Sequence, residues 1–76
     1  MIIRTVFSTY LLDPQARTVT RLSTGEGHKL RRDGEPIHLY GWTEPAVGRE
    51  MMLLVQVRED GMKTARRTSY VMSVEE

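Results

Sequence analysis

A chain of 76 residues and 8.8 kDa lies at the small end of what buries a core unaided, and with no cysteine it has neither disulfides nor thiolate metal clusters as staples. Its formal net charge of +1, with 28% charged residues, provides no overall field of the kind that announces a nucleic-acid or acidic-lipid partner. Stability must come from packing or from association, and a homodimer is one form that association takes.

The N-terminal stretch Met1 to Phe7 is apolar at first, but Arg4, Thr5 and Ser8 interrupt it before it reaches the length of a signal-peptide hydrophobic region. No run approaches a membrane span. The expectation is a cytoplasmic protein with no membrane partner. Ile2 to Leu12 reads as a first strand, its apolar Val6, Phe7, Tyr10, Leu11 and Leu12 interleaved with Thr5, Ser8 and Thr9. Asp13-Pro14-Gln15-Ala16 is a turn, because an aspartate accepts from the backbone ahead of it and proline presets the dihedral of the second turn position. Arg17 to Leu22 follows as a second strand. Neither of its faces is strongly apolar, which predicts an edge strand protected by Arg17 and Arg21.

Residues Ser23 to Pro36 carry three glycines, a proline and one large apolar residue, Leu30, and are expected to form a long mobile loop. Ile37 to Thr43 is a third strand, with Ile37 and Leu39 on one face and His38, Tyr40 and Trp42 on the other. Gly41 marks a bulge or a close backbone approach. After a short connector, Met51 to Arg58 forms a fourth strand that starts apolar on both faces, which predicts a central position covered on both sides. On that reading a charge at Leu54 unfolds the chain. Glu59-Asp60-Gly61 is a tight turn. Thr64 to Val74 is the fifth strand, with Tyr70, Met72 and Val74 on one face and a burial pattern that switches along its length. Met51, Met52 and Met72 are assigned to the core as adaptable fillers.

About five short antiparallel strands in one domain spanning residues 1–76 predict an all-β fold. The economical arrangement is a small five-stranded antiparallel barrel or half-open sandwich that resembles the SH3-like kind in strand count and spacing, with the long loop, about residues 23–36, after the second strand. That resemblance implies no function.

The chemistry-bearing residues point away from catalysis. There is no cysteine and no Gly-x-Ser-x-Gly elbow, and His28 and His38 lie in or beside the loop with no evident rigid element to orient them towards Ser69 or Ser73. Glu26, His28, Asp33, Glu35 and His38 gather possible metal ligands, yet Lys29, Arg31 and Arg32 are interleaved and oppose a cation, so a solvated mixed-charge loop is the expectation and no cofactor is implied. Gly25-Glu26-Gly27-His28-Lys29 lacks the consensus and the following helix of a phosphate-binding loop. The binding surface expected from sequence combines the loop cations Lys29, Arg31 and Arg32 with Tyr40 and Trp42, joined by Arg21 and Arg67 where the strands converge. Three readings follow. The first is a non-catalytic binding or adaptor module acting through protein–protein association or self-assembly, with strand edges able to take a partner's strand. The second is a nucleic-acid-binding small barrel that stacks bases on Tyr40 and Trp42. The third is a ligand- or metal-responsive regulator.

Overall fold

The structure is a computed structural model that describes residues 1–23, 33–57 and 59–76, with the backbone alone of Ser23. Among the described residues there are seven antiparallel strands and no helix: β1 Ile2–Thr5, β2 Ser8–Asp13, β3 Thr18–Ser23, β4 Pro36–Trp42, β5 Met52–Gln56, β6 Lys63–Arg67 and β7 Val71–Glu75. They form one open sheet in the order β6-β5-β4-β3-β2-β1-β7. The all-β class expected from sequence is present, but seven strands replace the expected five and no five-stranded SH3-like barrel is seen. The two extra strands arise because the expected first and fifth strands each break. Ile2 to Leu12 folds back on itself at Val6-Phe7, pairing Ile2 with Leu11, Ile3 with Tyr10 and Arg4 with Thr9. Thr64 to Val74 breaks at residues 68–70 and its two halves go to opposite edges of the sheet.

Neither break carries a glycine, proline or asparagine. The first is closed by a side chain: the Thr5 hydroxyl donates to the Ser8 carbonyl at 3.0 Å, and the Ser8 amide donates back to Thr5 Oγ1 at 3.1 Å. Both residues are buried, so these bonds are shielded from competing water. The second is held by Thr68, whose hydroxyl accepts from the Met51 amide at 3.0 Å and donates to the Ser69 carbonyl at 2.8 Å. The turns that sequence does announce form as expected. Asp13 Oδ1 accepts from the amides of Gln15 and Ala16, each at 3.1 Å, and Asp60 Oδ1 accepts from Met62 at 3.0 Å beside Gly61, whose φ of 80° suits glycine.

Period-two alternation sets what is buried. Ile3 on β1, Tyr10 and Leu12 on β2, Val19 on β3, Ile37 and Leu39 on β4, Leu53 and Val55 on β5, and Val71 on β7 share the inner face, joined by Met51 and Val57 from the ends of β5. Leu12, Val19 and Ile37 stand in one cross-strand row, and Leu39 opposes Val55. Each such side chain contributes about 1.5–3 kcal/mol by leaving water. Only one face of β5 is buried, so the expectation that Met51 to Val55 is covered on both sides does not hold: Leu54 is half-buried and Met52 exposed, both on the outer face. Met51 is the one of the three assigned core methionines that is buried; Met52 and Met72 face outward.

The second strand of the sequence reading is also not an edge. As β3 it lies between β2 and β4. Its weak amphipathicity has another cause, described below: Arg21 points inward and is buried with a carboxylate partner. The true edges are β6 and β7, which three residues connect. A flat sheet with six inter-strand gaps would be about 29 Å wide, whereas the four-residue step from Arg67 to Val71 spans at most about 14 Å. The sheet must therefore coil until its two edges meet at one corner. Consistent with that coil, Arg66 on β6 lies in the field of Tyr10 on β2 and Arg21 on β3.

Candidate functional site

Lys29, Arg31 and Arg32, the loop half of the expected binding surface, lie outside the described residues, as do Glu26, His28 and the Gly25 to Lys29 segment. The remaining residues separate into an interior group and two surfaces.

Arg21 belongs to the interior. Its guanidinium pairs with the Asp33 carboxylate through Nη1 and Oδ2, and both side chains are almost wholly withdrawn from solvent. The Gly34 amide donates to the Arg21 carbonyl at 2.8 Å, which draws the segment beginning at Asp33 onto β3. Arg66 joins the group from β6. Burial lowers its pKa, while the Asp33 carboxylate and Tyr10 push in the opposite direction; an arginine so placed keeps its charge. Arg21 is thus a structural cation and takes no part in a surface. Among the described residues no three histidine, aspartate or glutamate side chains gather as metal ligands.

The second group lies around β4 and contains Tyr40 and Trp42, both half-buried. A bulge at Leu39 to Gly41 puts an extra residue opposite β5 and reverses the alternation, so that Gly41 pairs with outward Leu54 and Trp42 with buried Leu53. Trp42 therefore packs against the edge of the core. Gly41 meets no close backbone, since a Cβ there would find nothing within 4 Å; of the two reasons sequence offered for this glycine, the bulge is the one present. The Tyr40 hydroxyl donates to Gln56 Oε1 at 2.7 Å, and its ring stands edge-on to His38 with centroids 4.6 Å apart. The Lys63 ammonium lies 4.8 Å from the Tyr40 ring centre, and the Arg17 guanidinium lies 6.0 Å from that of Trp42 while donating to the Tyr40 carbonyl at 2.7 Å. Beside them, Gly41, Trp42, Met52, Leu54 and Ala65 line a shallow apolar hollow of about 280 Å³. Arg67 stands at its rim on β6, exposed, with a loose contact of 3.9 Å to Glu50. Of the expected set, the structure brings Tyr40, Trp42 and Arg67 to one region, adds Arg17 and Lys63, and removes Arg21.

The third group was not foreseen as a site. Val6 and Phe7 form the tip of the β1–β2 hairpin, where the Val6 amide donates to the Tyr70 carbonyl at 3.2 Å and the Phe7 amide to Ser69 Oγ at 3.2 Å. At the same corner the Gly48 amide donates to the Val71 carbonyl at 2.8 Å and the Val71 amide to the Arg49 carbonyl at 2.9 Å. These bonds fix three segments against one another and leave the large apolar side chains pointing outward: Val6 is 49% exposed, Phe7 53%, Val47 67%, Tyr70 58% and Met72 62%. Turn tips are ordinarily polar or glycine-rich, and these positions are neither. The signal was present in the sequence as Val6-Phe7 and Tyr70, but continuous strand patterning concealed it.

A further hollow of about 490 Å³ lies on the outer face between Ile2, Leu11, Thr18 and Thr20, and its carboxylate, Asp13, caps the β2–β3 turn. In comparison with known proteins, the chain matches no family model, no curated protein and no solved structure.

Proposed function

We propose that this protein is a non-catalytic binding module that acts through protein–protein association, with a second copy of the chain as its simplest partner. The observation that carries the reading is the apolar corner. Val6, Phe7, Val47, Tyr70 and Met72 together present on the order of 500 Å² of surface, at the upper end of what a monomer leaves uncovered without use. No member of the patch is charged, so its apolar centre meets a second copy without like-charge repulsion, and Phe7 and Tyr70 are the aromatic type that anchors interfaces. The patch is smaller than the roughly 800 Å² per partner of a standard interface, and Arg4, Ser69 and Arg49 are placed to supply a polar rim. Backbone bonds already order its three segments, which lowers the entropy lost on binding.

Sedimentation velocity over a series of concentrations tests this. Reversible dimer formation is expected, abolished by Phe7→Ser with Tyr70→Ser, both changes at exposed side chains outside the core. A wild-type chain that stays monomeric into the millimolar range would overturn it.

A single-stranded nucleic-acid reading retains one supporting observation, the proximity of Tyr40, His38 and Trp42 to Arg17 and Lys63. It is the weaker reading, because the Tyr40 and Trp42 rings are half-buried and those two cations already lie over them, so a base stacking on either would have to displace its cation.

A further inference from the structure

The β6 edge runs away from the corner, which its Arg67 end alone approaches. Among the described residues β6 pairs with β5 alone, leaving one side of Lys63 to Arg67 without a neighbouring strand. Such a row of backbone donors and acceptors is a template for another extended chain. Its side chains alternate: Thr64 and Arg66 stand opposite inward Val55 and Leu53, and Lys63, Ala65 and Arg67 turn to the outer face. The outward set therefore reads cation, small apolar, cation. Ala65 continues the cross-strand row Gly41, Leu54, Ala65, which forms the floor of the 280 Å³ apolar hollow, so the middle of the edge opens directly onto it.

Each feature selects a feature of the occupant. Residues two apart on an added strand face the same side, so three alternate positions lie opposite Lys63, Ala65 and Arg67. Opposite charge is favoured at the outer two and an apolar side chain at the middle one, where it leans over Ala65 towards Leu54 and Met52. We propose that the β6 edge binds an extended peptide segment of the pattern acid–x–apolar–x–acid as an additional strand. A nucleic-acid strand satisfies the cations but neither the edge amides nor the apolar hollow between them. A second copy offering its own β6 brings Lys63 and Arg67 against the same cations, which is repulsive. Arg67 is available because its contact with Glu50 is long and both groups are exposed, a type of pair that contributes little. Lys63 lies over the Tyr40 ring on β4, an exposed contact that its flexible side chain exchanges for the acid of the added strand.

The test is fluorescence anisotropy with the whole chain and a labelled peptide that carries Glu-Thr-Leu-Thr-Glu between flanking threonines. Two controls accompany it, the same peptide with lysines for the glutamates and a labelled single-stranded oligonucleotide. Saturable binding of the acidic peptide is expected, weakening with salt and falling about tenfold or more with Lys63→Glu and Arg67→Glu combined. Ala65→Asp, an exposed change beside the hollow, is expected to reduce it independently, with circular dichroism confirming the fold of both variants. Amide exchange at residues 63–67 should slow in the complex. Equal binding of the lysine peptide, or acidic-peptide binding indifferent to both variants, would overturn the proposal. So would binding of the oligonucleotide alone, which would assign the edge to nucleic acid, or chain self-association lost in the Lys63→Glu/Arg67→Glu variant, which would assign it to a second copy. Phe7→Ser with Tyr70→Ser should leave peptide binding unchanged, so this proposal and the corner's role in association stand or fall separately.

Discussion

Asp33 is the residue on which the interior depends most. Two guanidinium groups, Arg21 and Arg66, approach it from β3 and β6, and the carboxylate offsets the cost of holding them away from water. Asp33→Ala leaves those cations without it and is expected to cost about 3–5 kcal/mol in urea denaturation; an effect below about 1 kcal/mol would mean that the group is solvated. Thr5 is a second such position. Thr5→Val keeps the shape but removes the acceptor of the buried Ser8 amide and the donor to the Ser8 carbonyl, so a loss of about 1–3 kcal/mol is expected from the same denaturation series. Neither role was legible from sequence. An arginine alternating with threonines looks like a solvent-facing residue of an edge strand, and only the return of the chain at Asp33 identifies it as half of a buried pair. Tyr40 and Trp42 were legible as a shared feature of one strand, though the Gly41 bulge then turns them to different surroundings.

At the scale of the element, the strands with punctuation were readable and those without were not. Asp13-Pro14 and Asp60-Gly61 mark their turns with residues whose side chains or dihedrals make the turn, and the structure uses them in that way. The reversal at residues 68–70 depends instead on the Thr68 hydroxyl bonding to the distant Met51 amide. That at Val6-Phe7 depends on a bridge from Thr5 to Ser8 between two residue types that sit equally well in a continuing strand, so neither stood out from the strand pattern. The two glycines with different roles should respond differently. Gly61→Ala places a Cβ at a φ of 80° and is expected to lower stability by about 1 kcal/mol or more. Gly41→Ala, in open space without positive φ, is expected to be neutral or to stabilise by up to about 1 kcal/mol, both read from thermal melts. On β5 the alternation makes a stronger prediction. Val55→Asp puts a charge on the wholly buried face and should unfold the chain. Leu54→Asp, on the outer face, should remain folded, with a native circular dichroism spectrum and a cooperative melt. An unfolded Leu54→Asp protein beside a folded Val55→Asp protein would mean that the register is off by one residue.

For the whole molecule, the all-β class followed from alternation and turn spacing, but the strand order did not. Which strand lies at the edge depends on long-range pairing, and β6 and β7, three residues apart in the chain, end at opposite edges of the sheet. Coiling brings those edges to one corner, encloses the inner face, and concentrates exposed apolar side chains from three segments where the edges meet. The corner is a product of topology, and it is the surface proposed above for association. The most direct measurement places a benzophenone photo-crosslinking amino acid at position 7, in the native cell and in the purified chain, with position 15 on the β2–β3 turn as control. A discrete adduct is expected from position 7, competed away by unlabelled wild-type chain and absent from position 15. Indistinguishable, diffuse labelling from both positions would contradict it.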